Sequence, residues 1–179
     1  MTTEPEILPL ASLVYLPYLD NNGLLPEEIV GKIGVYAIFD QDKKLQFVGY
    51  SRDIHLSLKQ HLVRQINNCY WLKIQTISRP SRTILEQIKQ AWLAENGTIP
   101  PGNAQEEKEW TEPIDAKLSM TEQEKSDHYK ADEMSRIKLL KNIARGVEYE
   151  IKENLKQRGS QVEIRFNPKL KEQGLLDLK

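Results

Sequence analysis

The sequence is poor in residues that would support several common kinds of site. It has one cysteine, Cys69, among 179 residues, which excludes an internal disulfide and a zinc site built on cysteines. No apolar run approaches the ~20 residues that a membrane-spanning helix needs. Because 25 Lys and Arg nearly balance 26 Asp and Glu, the overall charge favours neither nucleic acid nor membranes. Any such attraction must come from a local patch.

The first residues of the chain also lack the pattern of a secretory signal. Residues 1–6 have neither the basic start nor the apolar run of a secretory signal. We therefore expect a cytosol-type compartment, and we expect Cys69 to be a core thiol. The length suits one domain, or one small domain with a helical appendage.

The residues that are present predict an α+β fold. Two segments rich in β-branched and aromatic residues flank the polar turn Asp40-Gln-Asp-Lys43, which is typical of a hairpin. Apolar residues spaced three and four apart predict helices after it. Together they indicate a three-stranded, mostly antiparallel sheet flanked by helices. The predicted strands are 33–39, 45–50 and 70–77, and the predicted helices are 54–66 and 82–95.

Composition divides the chain into four predicted regions. Pro9 and Pro17 interrupt the first apolar segment, which favours an extended packing arm. A polar, acidic stretch with Pro113 indicates a linker. The predicted regions are the arm 1–30, a domain over 31–103, the acidic linker 104–119, and a C-terminal extension over 120–179.

The C-terminal extension is predicted to be a long amphipathic helix followed by a short terminal strand. Thr121 and Glu124 form the pattern of a capping box. The apolar stripe runs to about residue 158, with a bend or break expected at Gly146. Alternation over 161–166 predicts the terminal strand.

One pair of motifs in the predicted sheet resembles a known family. Gly34-Val-Tyr36 is followed, after ten residues, by Phe47-Val-Gly49, then by Arg52-Asp-Ile54 and Pro100-Pro-Gly-Asn103. In order and spacing these residues resemble the GIY-YIG nuclease superfamily over about 30–103. They are most similar to the domain fused to plant plastid monothiol glutaredoxins, although the Cys-Gly-Phe-Ser motif of the glutaredoxin half is absent here. The resemblance implies a free-standing relative from a cyanobacterium or a plastid, so the plastid stroma is an alternative compartment.

The resemblance also implies what each position would do. Nucleases of that family hydrolyse a phosphodiester with one divalent metal, a tyrosine network, an arginine and a glutamate. Tyr36 matches the first tyrosine, but Phe47 lacks the second hydroxyl, Ser57 replaces the arginine, and Gln90 stands where the metal-binding glutamate falls. The candidate catalytic positions are Tyr36, Phe47, Gly49, Arg52, Ser57 and Asn103. Losing one charge-stabilising donor typically costs about 10²–10³ in rate, so we expect a degenerate site.

Substitutes for the missing groups exist within the same region. Glu86 lies one helical turn before Gln90, so the two are candidate metal ligands on one helix face. Arg52 and Arg64 are candidate replacements for the arginine. We expect no cofactor, or Mg²⁺ or Mn²⁺ if the nuclease is active. His61 is expected to be a solvated helix residue.

A local basic stretch is a second candidate feature. Seven Lys and Arg lie between Arg52 and Lys89, against two acids. Such a stretch binds phosphate backbones by releasing counterions, although charges spread over two solvated helix faces are an equally simple interpretation. The candidate nucleic-acid-binding residues are Arg52, Lys59, Arg64, Arg79 and Arg82.

The sequence therefore predicts a degenerate GIY-YIG-like module. It would bind DNA, RNA or a protein partner through the former cleavage cleft and the basic turn around Pro80. One alternative is an active metal-dependent DNA endonuclease. Another is an assembly or scaffold protein without a nucleic-acid role, binding a protein through the C-terminal helix.

Overall fold

The computed structural model describes residues 5–179, which form two compact units. The first unit ends at Thr111, and the second spans Glu112–Lys179. In the described chain the helices are α1 (Ile54–Arg64), α2 (Arg82–Asn96), α3 (Glu107–Thr111), α4 (Glu122–Lys130), α5 (Glu133–Gln157) and α6 (Pro168–Lys171). The strands are β1 (Leu16–Pro17), β2 (Ile33–Phe39), β3 (Leu45–Ser51), β4 (Trp71–Ile77), β5 (Ile114–Asp115) and β6 (Leu175–Leu176).

The sheet of the first unit is antiparallel, with the strand order β1-β4-β2-β3. The α+β class and the three predicted strands are confirmed, but the sheet has a fourth strand. In β1, Leu16 pairs with Leu72 and Pro17 with Trp71. Because β1 is an edge strand, Pro17 is tolerated although it has no N–H to donate.

The central strand β2 is buried on both faces, because a helix packs on each. Val35, Ala37 and Phe39 join an apolar cluster that includes Ile88 and Trp92 of α2. The alternate residues of β2, such as Tyr36, face α1. This two-sided burial explains why β2 is almost continuously apolar.

Side-chain caps position both helices. The Asp53 carboxylate accepts a hydrogen bond from the N–H of Leu56 at the start of α1. At the start of α2, the Ser81 hydroxyl accepts one from Ile84. These are the residue types that satisfy the free N–H groups at a helix N-terminus.

Gly34 allows β2 and β4 to approach each other. A Cβ at this position would collide with the backbone oxygen of Gln75 and lie 2.8 Å from the Cα of Thr76. Since both obstacles are backbone atoms, neither can rotate away. The packing of β2 against β4 therefore explains the first glycine of the sequence motif without any functional role.

The segment predicted as an acidic linker, 104–119, contains ordered elements. It carries α3, β5 and a 3₁₀ turn over Ala116–Ser119. Trp110 on α3 is fully buried. The two compact units meet in sequence inside this segment, between Thr111 and Glu112.

Two details predicted for the second unit are wrong. The helical stretch is interrupted at Ala131–Asp132, where Asp132 caps α5 by accepting from the N–H of Ser135, and α5 runs unbroken through Gly146. Residues 161–166 form no strand, because only Phe166 finds a partner, in an isolated bridge to Leu178. The terminal strand is instead β6, which pairs with β5.

Candidate functional site

Tyr36, Phe47 and Gly49 come together on the α1 side of the sheet. In the β2–β3 register, Tyr36 is opposite Gly49, and Phe47 is opposite Ile38. The Tyr36 and Phe47 rings have centroids 6.2 Å apart. A Cβ on Gly49 would lie 2.6 Å from the Phe47 ring and 2.9 Å from Tyr36 Oη. The second glycine of the motif therefore makes room for the two rings.

Two residues that the sequence did not predict complete this cluster. Tyr36 Oη lies 2.7 Å from Nε2 of His61, a hydrogen bond. Trp110 stacks on Phe47, with centroids 5.1 Å apart and rings nearly parallel at 5°. The expectation that His61 is solvated is wrong, because only 4% of it is exposed. His61 follows Ser57 by one helical turn, so the two residues lie on one face of α1. This spacing could have indicated that His61 belongs to the cluster.

Burial shifts both members of the tyrosine–histidine pair toward their neutral forms. Burial raises the pKa of Tyr36 well above its ordinary value, against smaller opposing effects of Ser57 and Arg64. Burial, with the Arg64 charge, lowers the pKa of His61 to about 3. Near neutral pH this pair therefore supplies neither a tyrosinate nor an imidazolium.

Two further polar atoms are buried in the cluster. Within the described part of the chain, Nδ1 of His61 and Nε1 of Trp110 make no hydrogen bond of ordinary geometry. Buried polar groups without partners are costly. For His61, the cavity that it lines gives a reason for the unpaired atom, whereas Trp110 is not among the lining residues of that cavity.

The cavity beside this cluster, here the Tyr36 cavity, has a volume of about 250 Å³. Its cations are Arg64 and Lys89, and none of its described lining residues is Asp or Glu. Arg64 donates to the backbone oxygen of Trp110 at 3.1 Å, and Lys89 Nζ lies 5.8 Å from the Tyr50 ring centroid. The lining residues are Tyr36, Phe47, Gly49, Tyr50, Ser57, Gln60, His61, Arg64, Lys89 and Thr111.

Ser57 and Asn103, two predicted catalytic positions, are held by structural hydrogen bonds. The Ser57 hydroxyl donates to Ser51 Oγ at 2.7 Å, which ties α1 to the end of β3. The Asn103 amide both donates to and accepts from the backbone of Val48, each at 2.8 Å. Asn103 thereby provides hydrogen-bond partners for the Val48 backbone at the open edge of β3. It does not line the Tyr36 cavity.

A second cavity lies beside the start of α2 and shares Tyr50 with the first. This Arg82 cavity has a volume of about 490 Å³ and carries two cations, Arg52 and Arg82. None of its described lining residues is acidic. The lining residues are Tyr50, Ser51, Arg52, Pro80, Ser81, Arg82 and Leu85. Of the other predicted nucleic-acid-binding residues, Arg79 is exposed and Lys59 half-buried, and neither lines these two cavities.

Glu86 and Gln90, the candidate metal ligands, contact each other outside the Tyr36 cavity. The Gln90 amide donates to Glu86 Oε1 at 2.8 Å. That hydrogen bond, another from Tyr50, and the charges of Lys89 and Arg82 lower the pKa of Glu86. Both line a separate open cavity. Among the described residues, no group of three His, Cys, Asp or Glu is arranged to hold a metal.

No helix in the described part of the chain is long and apolar enough to cross a lipid bilayer. The single cysteine, Cys69, is fully buried, and its Sγ lies 3.6 Å from the backbone oxygen of His61. The prediction of a core thiol is confirmed.

Comparison with known proteins gives one informative similarity. No family model matches the chain. The chain is 32% identical over 105 residues to the bifunctional monothiol glutaredoxin-S16, chloroplastic, of Arabidopsis thaliana. The matched region is 56% of this chain but only 31% of the relative, so the chain spans about a third of that protein's length.

Proposed function

We propose that the first unit is a degenerate GIY-YIG-like module that binds the phosphodiester backbone of nucleic acid without cutting it. The observation that supports this proposal most directly is a pair of cavities that share Tyr50. Between them they contain four cations, Arg52, Arg64, Arg82 and Lys89, and no carboxylate among their described lining residues. Arginine and lysine neutralise the phosphates of a nucleic-acid backbone.

The chemistry of the Tyr36 cavity supports binding rather than hydrolysis. Hydrolysis of the GIY-YIG kind would need an anionic metal ligand and a positive charge at the scissile phosphate. Ser57 holds the arginine position and is tied to Ser51. Gln90 holds the glutamate position, and its amide is bonded to Glu86 away from the cavity. Mg²⁺ or Mn²⁺ would therefore lack the carboxylate ligand that it prefers.

A glutaredoxin-type function is not proposed for this chain. The relative from Arabidopsis thaliana is named for a monothiol glutaredoxin, and thiol chemistry requires an accessible thiolate. Cys69 is fully buried. The chloroplastic relative supports the plastid stroma, the alternative to a cytosol-type compartment.

The proposal is tested by fluorescence anisotropy with labelled DNA and RNA of 20 nucleotides at low salt. Replacing Arg52 and Arg82 with alanine removes two phosphate contacts, so the affinity should fall and the salt slope should flatten by about two units. The double change Lys130→Ala and Lys138→Ala removes the same charge from helices of the second unit and should leave both quantities unchanged.

Two outcomes would overturn the proposal. One is the absence of any anisotropy change at low salt, which would favour a protein partner instead of nucleic acid. The other is an equal loss of affinity in both double variants, which would show a diffuse charge effect rather than a site.

A further inference from the structure

A further cavity of the first unit lies at the opposite end of α2 from Arg82. Its volume is about 540 Å³, within the range of small-molecule sites. Its walls come from the N-terminal arm, the β2–β3 hairpin, β4 and the chain after α2. By the rise of an α-helix, α2 separates it from the Arg82 cavity by roughly 20 Å. We call it the Lys43 cavity.

Three lysines and one acid line the Lys43 cavity: Lys43, Lys44, Lys73 and Glu95. The Glu95 carboxylate is already engaged, since it accepts hydrogen bonds from the N–H groups of Leu10 at 2.7 Å and Ala11 at 2.8 Å. Even with Glu95 counted against one lysine, two positive charges remain uncompensated among the described lining residues.

Lys73 is unusual because its side chain is buried although it is charged. Only 6% of it is exposed, and its ammonium donates to the backbone oxygen of Leu10 at 3.0 Å. The same Nζ lies 4.2 Å from the centroid of the Tyr15 ring. Burying an ammonium is costly unless other groups compensate it. A bound anion would be a further compensating group.

Lys43 is held over the same aromatic wall by an unfavourable backbone. Its φ of 62° is the left-handed conformation, and it is the only described residue other than glycine with a positive φ. Glycine is the ordinary choice there. The backbone places Lys43 Nζ 4.8 Å from the ring centroids of both Tyr15 and Trp71. This φ belongs to the turn of the β2–β3 hairpin, in which the N–H of Lys43 donates to the Asp40 oxygen and the N–H of Asp40 donates to the Lys44 oxygen. The turn thereby directs the Lys43 side chain toward the other charges of the cavity.

We propose that the Lys43 cavity binds a phosphorylated small molecule of about mononucleotide size. The phosphate dianion would lie between the three ammonium groups, whose two uncompensated charges match its own. The uncharged body of the ligand would pack on the apolar wall formed by Phe39, Leu45, Ile99 and Pro100. The proposal is independent of nucleic-acid binding, because it uses other residues at the other end of α2.

Isothermal titration calorimetry with AMP, inorganic phosphate and adenosine tests the proposal on the whole chain. AMP should bind more tightly than phosphate, because it also fills the apolar part, and adenosine should give no heat. In Lys43→Gly the affinity for AMP should fall by about tenfold or more, the usual loss for a hydrogen bond to a charged group. The melting temperature without ligand should stay the same or rise, because glycine relieves the positive φ.

Two control variants make the outcome decisive. Lys130→Ala, an exposed charge on α4, should leave AMP binding unchanged. The variant with alanine at Arg52 and Arg82 should leave it unchanged as well. The proposal is overturned if neither AMP nor phosphate binds, if adenosine binds as well as AMP, or if Lys43→Gly binds AMP normally. AMP binding that disappears only in the arginine variant would place the ligand in the Arg82 cavity and would overturn it too.

Discussion

The two faces of the central sheet have the same strands but treat their buried polar groups differently. On the α2 face these groups are paired: Trp92 donates to the backbone oxygen of Leu8 at 2.9 Å, Lys73 donates to that of Leu10 at 3.0 Å, and the Gln75 amide oxygen accepts from the N–H of Leu8 at 3.0 Å. On the α1 face, His61 and Trp110 bury polar atoms that make no hydrogen bond of ordinary geometry. A core selected for stability alone would avoid such groups. The difference indicates that the α2 face satisfies its buried polar groups within the fold, whereas the α1 face leaves polar atoms of its cluster unpaired.

The largest expected effect is the pH dependence that His61, on the α1 face, gives to the free energy of unfolding. Its pKa is lowered from 6.5 to about 3 in the folded protein, so the unfolded chain binds this proton more readily. The stability that the neutral imidazole gives to the fold is fully present well above pH 6.5 and is lost as the pH falls toward 3. Well below pH 6.5 the slope approaches about 1.4 kcal/mol per pH unit, and the change between pH 6.5 and 4.5 should be about 2.3 kcal/mol.

Urea unfolding at several pH values measures this effect, and His61→Gln is the matched variant. Glutamine retains a hydrogen-bonding group for Tyr36 but does not titrate, so the stability difference between the two proteins should shrink as the pH falls. Parallel pH profiles of the two proteins would contradict the buried neutral histidine. Tryptophan fluorescence is the suitable signal, because Trp71, Trp92 and Trp110 all lie in the first unit.

A smaller effect is expected from adding one methyl group to the Tyr36–Phe47 contact. Gly49→Ala places a Cβ 2.6 Å from the Phe47 ring, and overpacking of this kind costs about 1–3 kcal/mol. Gly146→Ala is the matched change, because nothing lies within 4 Å of a Cβ there. It lies inside α5 and should stabilise that helix by about 0.5–1 kcal/mol.

Denaturant unfolding followed by tryptophan fluorescence measures the first change, and circular dichroism of the helices measures the second. Opposite signs are expected. If Gly49→Ala were as harmless as Gly146→Ala, the close contact of the two rings with the β3 backbone would be wrong.

The smallest effect compares the two fully buried tryptophans directly. Trp92→Phe loses the hydrogen bond to the Leu8 oxygen, whereas Trp110→Phe removes an N–H that has no partner of ordinary geometry. Trp92→Phe should therefore be the more destabilising change, by about 1 kcal/mol. Thermal unfolding of the two variants under one set of conditions decides it. A costlier Trp110→Phe would mean that the α1 face is packed for stability as well.

The parts of the fold that depend on local sequence were predictable. The bounds of β2 match their prediction, and the caps Asp53 and Ser81 place α1 and α2 close to where the apolar spacing indicates. The strand β1 was missed because two residues containing Pro17 carry no local strand signal, and only the distant partner β4 makes them a strand. The alternation over 161–166 predicted a strand for which the fold supplies almost no partner.

Of the candidate site, only the residues that belong to the sequence motif were predictable. Tyr36, Phe47 and Gly49 were placed together by the hairpin. His61 was missed because its burial depends on Trp110, which lies 49 positions away in a segment whose acidic composition indicated a linker. An isolated tryptophan in a polar stretch was the available sign of a buried anchor.

The central claim is that this module holds a phosphodiester backbone and leaves it intact. Its most direct test follows one labelled duplex with Mn²⁺ by anisotropy and then runs the same sample on a denaturing gel. The account predicts a salt-sensitive rise in anisotropy and full-length strands after prolonged incubation. Cleavage products that disappear in Tyr36→Phe would contradict it.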